Sequence, residues 1–107
     1  MMKQKSNCPI NRALELIGDK WTLLIIRDMA FHKKQNYQDF LSSKENISTN
    51  ILADRLKKML EAGMITKKTD ITNKKKINYK LTSMGVDLVP VLMSVETWSK
   101  THLISSH

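Results

Sequence analysis

Apolar residues in the first third of the chain recur every three or four positions, which is the spacing of one helix face. A first helix is predicted between Pro9, which suits the opening position of a helix, and Gly18, which is typical of its end. Its apolar positions are Ile10, Leu14 and Ile17. Asp19 can cap a second helix. The inward face of that helix combines Trp21, Leu24, Ile25 and Met29.

A short helix and a longer one follow, separated by a turn. The short helix is predicted over residues 37–41. The longer helix begins at Ser48, a good N-terminal cap, and stops at Gly63. Ile47, just before the cap, can pack on Leu52, four positions into the helix. The core-facing stripe of the longer helix is Leu52, Leu56, Met59 and Leu60.

Two short strands and a final helix complete the pattern. Residues 64–70 and 77–82 are typical of strands, and the polar segment 71–76 between them suits the tip of a hairpin. Ser83 can cap the final helix. Pro90 lies inside that helix and predicts a bend or a division into two segments.

This order of elements predicts a winged helix-turn-helix. The fold is mainly α with a small β-hairpin wing (α+β), and 107 residues allow a single domain, residues 1–107. In such folds one helix enters the major groove while the wing meets the backbone or the minor groove. The predicted recognition helix covers about 48–62, the wing about 64–82 and the C-terminal helix about 83–104.

The distribution of charge suggests a partner. The chain carries 18 basic and 10 acidic residues, and residues 31–80 hold twelve of the basic ones against five acidic ones. A basic centre is typical of a protein that binds a polyanion, because neutralised phosphates release counterions. A solvated surface that only aids solubility would have the same composition, so charge alone leaves both interpretations open.

Several classes of protein are excluded by the sequence. The longest apolar run, residues 23–26, is far shorter than the ~20 residues that span a bilayer, so no membrane partner is expected. A single cysteine, Cys8, allows no internal disulfide and favours a reducing cytoplasm. The three histidines have no metal-ligand spacing, and three glycines leave no phosphate-binding loop. We therefore expect no metal, no cofactor and no catalytic site.

An ordered set of motifs over roughly residues 7–100 resembles the HxlR-type (MarR-like) bacterial transcriptional regulators. The motifs are Cys8-Pro9-Ile10, Ile17-Gly18-Asp19-Lys20-Trp21, Ile47-Ser48, Leu60-Glu61-Ala62-Gly63-Met64-Ile65, Tyr79-Lys80-Leu81-Thr82 with Gly85, and Leu88-Val89-Pro90-Val91-Leu92 with Trp98. The resemblance implies a cytoplasmic homodimer that binds operator DNA. Thr49 and Asn50 depart from the larger polar or basic residues that are common in relatives, which leaves the operator sequence open.

We expect the outward face at the start of the recognition helix to contact DNA. Asn50 can pair with an adenine edge, and Lys57 can reach guanine or a phosphate. Asp54 fits least, since a carboxylate repels phosphates unless it pairs with a cytosine amino group or a lysine. The full set is Ser48, Thr49, Asn50, Ala53, Asp54 and Lys57. Phosphate contacts at the wing tip are expected from Lys74, Lys75 and Lys76.

The first and last helices carry more apolar side chains than one core-facing stripe requires. These side chains either pack within the chain or, as the family resemblance implies, form a two-fold dimer interface. The candidate interface residues are Leu14, Ile17, Val91, Leu92, Val95 and Trp98. Two recognition helices ~34–36 Å apart would match a pseudopalindromic operator.

Cys8 is the one residue that could carry chemistry. It precedes Pro9 at a helix N-terminus, where the helix dipole favours the thiolate form. Nearby positive charge comes from Lys3, Lys5 and Arg12. The family resemblance implies a sensor of oxidants or electrophiles, whereas a buried, inert thiol is the competing interpretation. A small-molecule effector bound between the DNA-binding and dimer helices is a further candidate for the response.

The preferred hypothesis is a homodimeric, sequence-specific DNA-binding regulator that represses, or less often activates, transcription. Two alternatives stay open. A winged helix that serves as an RNA-binding or protein-interaction module would show little sequence preference, and its wing lysines would matter more than Asn50. A small thiol-based redox protein would turn over Cys8 without any affinity for DNA.

Overall fold

The computed structural model describes residues 7–104 and confirms the winged helix-turn-helix. Helices α3 and α4 form the helix-turn-helix, and β1 and β2 pair antiparallel as the wing. No helix within the described segment is long and apolar enough to cross a membrane. The elements are α1 Pro9–Ile17, α2 Lys20–Phe31, α3 Tyr37–Leu41, α4 Thr49–Ala62, β1 Ile65–Thr69, β2 Ile77–Leu81, α5 Ser83–Val86 and α6 Val89–His102.

Local sequence sets the ends of α2 and α4. The Asp19 carboxylate caps α2 by accepting the backbone N–H groups of Trp21 at 2.9 Å and Thr22 at 3.0 Å. Ser48 caps α4 by accepting a backbone N–H at 3.2 Å. Gly63 ends α4 with φ at 84°, a left-handed conformation that favours glycine. All three residues act as the sequence predicts.

The final helix is divided, as Pro90 predicts, but the expected cap at Ser83 is wrong. Thr82 caps α5 instead: its hydroxyl accepts a backbone N–H of α5 at 3.3 Å and donates to the carbonyl of Gly63 at 2.6 Å. Thr82 can form this second hydrogen bond, to Gly63 across the base of the wing, and this explains why the cap is Thr82 and not Ser83. Residues 87–88 separate α5 from α6, and Pro90 lies in the first turn of α6, where it removes no helical hydrogen bond.

The core lies where α2, α3 and α4 meet the wing. Of the four residues of the predicted stripe on α4, Leu52, Leu56 and Met59 are each at most 1% exposed and Leu60 is half-buried. Tyr79 of β2 packs its ring 6.5 Å from that of Phe40 in α3, which joins the wing to the helices. The other buried apolar residues are Ile25, Ile26, Met29, Ile47, Met64 and Ile65.

A charged network ties α2 to the turn before α4. The guanidinium of Arg27 donates two hydrogen bonds to Glu45, each 2.9 Å long, and two to the buried carboxylate of Asp28. Asp28 also accepts a hydrogen bond from Ser43, and Lys34 lies 3.7 Å from Asp28. The hydrogen bonds from Arg27 lower the pKa of Glu45 to about 2. The network therefore holds the turn that leads into α4.

We expect acid to weaken the fold through Glu45. Its pKa is about 2 in the folded chain and 4.5 ordinarily, so its stabilising effect is complete above 4.5 and disappears as pH falls through about 2. The free energy of unfolding, measured by urea denaturation at a series of pH values, should fall over this window. The fall should be shallower for Glu45→Gln.

Glu61→Gln is the matched control. Glu61 is exposed on α4 and forms no ion pair with any described residue. If Glu45→Gln and the parent chain lose stability with the same slope, the network does not stabilise the fold through this carboxylate.

Candidate nucleic-acid interface

The first two turns of α4 present one continuous polar face to solvent. Burial of Ile47 and Leu52 fixes which side of the helix turns inward, and residues three and four apart on the other side then share a face. All six predicted recognition residues are exposed on this side. They are Ser48, Thr49, Asn50, Ala53, Asp54 and Lys57.

The single carboxylate on this face is balanced by neighbours on the same helix. Asp54 pairs with Arg55, and Lys58 lies 3.4 Å from it. Its charge is therefore neutralised locally, as contact with phosphates would require. Within residues 7–104, no hydrogen bond or ion pair engages the side chains of Asn50 or Lys57. Both are available to a ligand.

The wing tip is held by an aspartate that sequence analysis did not single out. The Asp70 carboxylate accepts the hydroxyl of Thr72 at 2.6 Å, the amide of Asn78 at 2.9 Å, and two backbone N–H groups of the turn. The Thr72 bond is the largest cause that lowers the pKa of Asp70 to about 2. Asp followed two residues later by Thr is a turn motif that could have revealed this role.

This turn carries the three predicted wing lysines into solvent. Asp70 donates its backbone N–H to the carbonyl of Lys76 at 2.8 Å, which closes the tip. Residues 71–76 are all exposed, and no ion pair within the described segment neutralises the lysines. The lysines are Lys74, Lys75 and Lys76. The tip is therefore a compact patch of positive charge.

Helices α1 and α6 expose most of the predicted dimer residues. Neither helix buries a residue, although α6 alone has 14 residues. Trp98 is 58% exposed and Leu14 is 57% exposed, and Val91 and Val95 are exposed as well. The remaining two candidates, Ile17 and Leu92, are half-buried and pack against the core. An exposed apolar surface of this kind is typical of a protein–protein interface.

A groove of about 800 Å³ lies between the wing, the end of α2 and the start of α6. It therefore lies between a DNA-binding element and a predicted dimer helix, where the sequence hypothesis puts a small-molecule effector. Among the residues that line it are Met29, Phe31, Lys68, Lys80, Val86 and Val89.

Cys8 is the N-cap residue of α1 and is exposed. The buried thiol of the competing interpretation is therefore wrong. Arg12 is exposed on α1, whereas Lys3 and Lys5 lie outside the described residues. In the part of the chain that the structure describes, no group of three or more His, Cys, Asp or Glu side chains could hold a metal ion.

The sequence pattern of the family described as HxlR-like helix-turn-helix matches residues 16–107. The chain belongs to the HxlR-like helix-turn-helix family. The helix-turn-helix and the wing described above lie within the matched residues.

Curated relatives of the HxlR-like chain are named HTH-type transcriptional regulators. Rv3095 of Mycobacterium tuberculosis H37Rv is 31% identical over 94 residues, which are 88% of this chain and 58% of that protein. The chain thus spans little more than half the length of that relative. YvaP of Bacillus subtilis is 25% identical over 99 residues, which cover 92% of this chain and 91% of YvaP.

Solved structures share the fold of the HxlR-like chain. PA1607, described as a candidate transcription factor, superimposes on this chain with a TM-score of 0.86 at 32% identity. The superposition covers 96% of this chain and 72% of PA1607. The reduced form of the transcriptional regulator YodB from B. subtilis has a TM-score of 0.73 at 23% identity. This superposition covers 95% of this chain and 100% of YodB, and at 23% identity it shows only that the two chains share a fold.

Proposed function

We propose that this HxlR-like regulator is a cytoplasmic repressor that binds a pseudopalindromic operator as a homodimer. One observation carries the proposal: on the outward face of α4, the side chains of Asn50 and Lys57 make no hydrogen bond or ion pair within residues 7–104, and they lie on the same domain as an unneutralised lysine patch. A helix face with hydrogen-bonding side chains can read base edges, and a patch of lysines can bind phosphates. A dimer seated on its operator would block access to the promoter.

We assign the two kinds of contact to different residues. Thr49, Asn50, Ala53 and Lys57 read or approach base edges in the major groove, with Asn50 pairing with adenine. Ser48 combines capping of α4 with a contact to the backbone, and Asp54 stays paired with its basic neighbours. Phosphate contacts without sequence readout come from Lys74, Lys75 and Lys76.

Substitutions at the two sets should have different effects on DNA binding. Asn50→Ala should cost about 1–3 kcal/mol of preference for the operator, because a bidentate base contact is lost. Lys75→Ala should weaken binding to all duplexes alike and reduce the salt slope by about 1. The measurement is fluorescence anisotropy over a salt series, with an operator selected by the protein from a random duplex pool and its shuffled version.

Lys100→Ala on α6 is the matched control for Lys75→Ala, since it removes the same charge from another part of the chain. If the parent chain bound operator and shuffled DNA with equal affinity and the same steep salt slope, only phosphate contacts would contribute to its binding free energy. That result would favour the alternative of a winged helix that binds RNA or protein. Absence of binding at low salt would contradict the proposal altogether.

We propose further that α1 and α6 form the two-fold interface of the homodimer. Helices that bury no residue within the described chain gain little from intramolecular packing, and burial against a second copy would supply the missing stabilisation. The seam consists of Leu14, Ile17, Val91, Leu92, Val95 and Trp98, of which Ile17 and Leu92 connect it to the core.

Trp98→Glu should convert the dimer to a folded monomer, because a carboxylate in an apolar interface has no partner to offset its desolvation. Trp98 is largely exposed in the single chain, so the fold should survive. Sedimentation velocity measures the oligomeric state, and circular dichroism checks the fold. Met93→Glu, an exposed apolar position five residues away and thus on another side of α6, should stay dimeric. A dimeric Trp98→Glu would exclude this interface.

We propose that the response to oxidants and electrophiles resides at Cys8. Its exposure at the start of α1 supports access for a reagent, and its position beside the proposed seam supports an effect on the dimer. With one cysteine per chain, two thiols of a dimer can lose two electrons and two protons to an oxidant and form a Cys8–Cys8 disulfide. A thiolate can instead add to a quinone.

Cys8→Ser should bind the selected operator as well as the parent in the reduced state, and should not respond to diamide or benzoquinone. Anisotropy before and after treatment measures the response, and intact mass identifies the product. If the variant responds like the parent, Cys8 is not the sensor. The groove between wing and α6 would then be the candidate effector site.

A further inference from the structure

A cleft of about 560 Å³ separates the end of α1 from α4, and an ion pair spans it. The Nε atom of Arg55 in α4 lies 2.8 Å from Oδ2 of Asp19, the residue between α1 and α2. Both side chains are about three-quarters buried, since they are 23% and 28% exposed. Within residues 7–104, no other hydrogen bond or ion pair joins residues 18–22 to α4.

The carboxylate of Asp19 is held by hydrogen bonds from the first turn of α2. One oxygen accepts the backbone N–H groups of Trp21 and Thr22, and the other accepts the Thr22 hydroxyl at 2.7 Å. Burial raises the pKa of Asp19, but the bonds from Thr22 and Arg55 outweigh it and lower the pKa to about 2. Asp19 is therefore charged at neutral pH, with both carboxylate oxygens hydrogen-bonded.

The guanidinium of Arg55 connects the carboxylate of Asp19 to the recognition face. Its Nε donates to Asp19, while its Nη1 donates to Asp54, which is exposed on that face. A planar group with several donors can hold two carboxylates in one geometry, which an ammonium group cannot reproduce. Both contacts keep the positive charge of Arg55 directed along the protein surface.

We propose that Asp19 and Arg55 are positioning residues, which set the angle of the recognition helix relative to the dimer helices. The inference rests on the proposed function, because it concerns how a dimer presents two helices to DNA. Asp19 caps α2 and is separated from the end of α1 only by Gly18, so the ion pair links the junction between α1 and α2 to α4. The pair also withholds Arg55 from phosphates, which would otherwise attract it wherever DNA is present.

Asp19→Asn separates the two roles of Asp19. Asparagine caps helices as well as aspartate does, so α2 should persist, but the charge that holds Arg55 is lost. We expect affinity for shuffled DNA to rise and the ratio of operator to shuffled affinity to fall by at least ~10-fold, out of a usual range of ~10³–10⁷. The penalty for inserting one base pair between the half-sites should also shrink.

Asp87→Asn is the matched control. Asp87 is exposed between α5 and α6, and its side chain has no hydrogen bond or ion pair within the described segment. Asp87→Asn therefore removes one negative charge, as Asp19→Asn does, but leaves the ion pair of Arg55 intact. Arg55→Lys should lose operator preference as Asp19→Asn does, although it keeps the charge. The double variant should lose no more than either single variant, because both break one interaction.

The outcomes distinguish this inference from the proposed function. If the parent chain selects no sequence from the random pool, the proposed function itself fails. If the parent selects an operator, and Asp19→Asn matches Asp87→Asn in operator preference and in the spacing penalty, only the positioning role is wrong. A thermal unfolding midpoint of Asp19→Asn within a few degrees of the parent value would show that the comparison concerns folded protein.

Discussion

The burial of one narrow stripe on α4 is the constraint on which the rest of the molecule depends. A 14-residue helix that keeps a polar face in solvent can commit only its other side to the core, and here that side is Leu52, Leu56 and Met59. Large apolar side chains from α2, α3 and the wing close over it, with Phe40 and Tyr79 in contact. The same burial that stabilises the fold therefore orients the polar face outward.

A core organised around α4 leaves little apolar surface to hold α1 and α6. Their outer residues remain exposed, including Leu14 and Trp98, because no further element of the described chain covers them. A domain of this size buries a smaller fraction of its surface than a larger domain does, and association is a common source of additional stability. The exposed apolar surface of α1 and α6 is what the proposed dimer would bury.

Sequence analysis predicted what short stretches of chain decide by themselves. The caps Asp19, Ser48 and Gly63, the stripe of α4, the wing and the exposed recognition face all follow from residues within a few positions of one another. The cap at Thr82 was missed because its hydroxyl also bonds to Gly63, which is 19 residues away. Arg27 with Glu45 and Arg55 with Asp19, separated by 18 and 36 positions, leave no periodic pattern to detect.

The short side chains on the recognition face make the placement of α4 decisive. Thr49, Asn50 and Ala53 extend little from the helix, so in the proposed complex they would reach base edges only if the backbone lay deep in the groove. Long arginines or lysines would tolerate an error in helix position by changing rotamer, whereas asparagine has no such reach. The proposed specificity would therefore depend on a helix held in place by its surroundings. The ion pair between Asp19 and Arg55 is the contact proposed to supply that restraint.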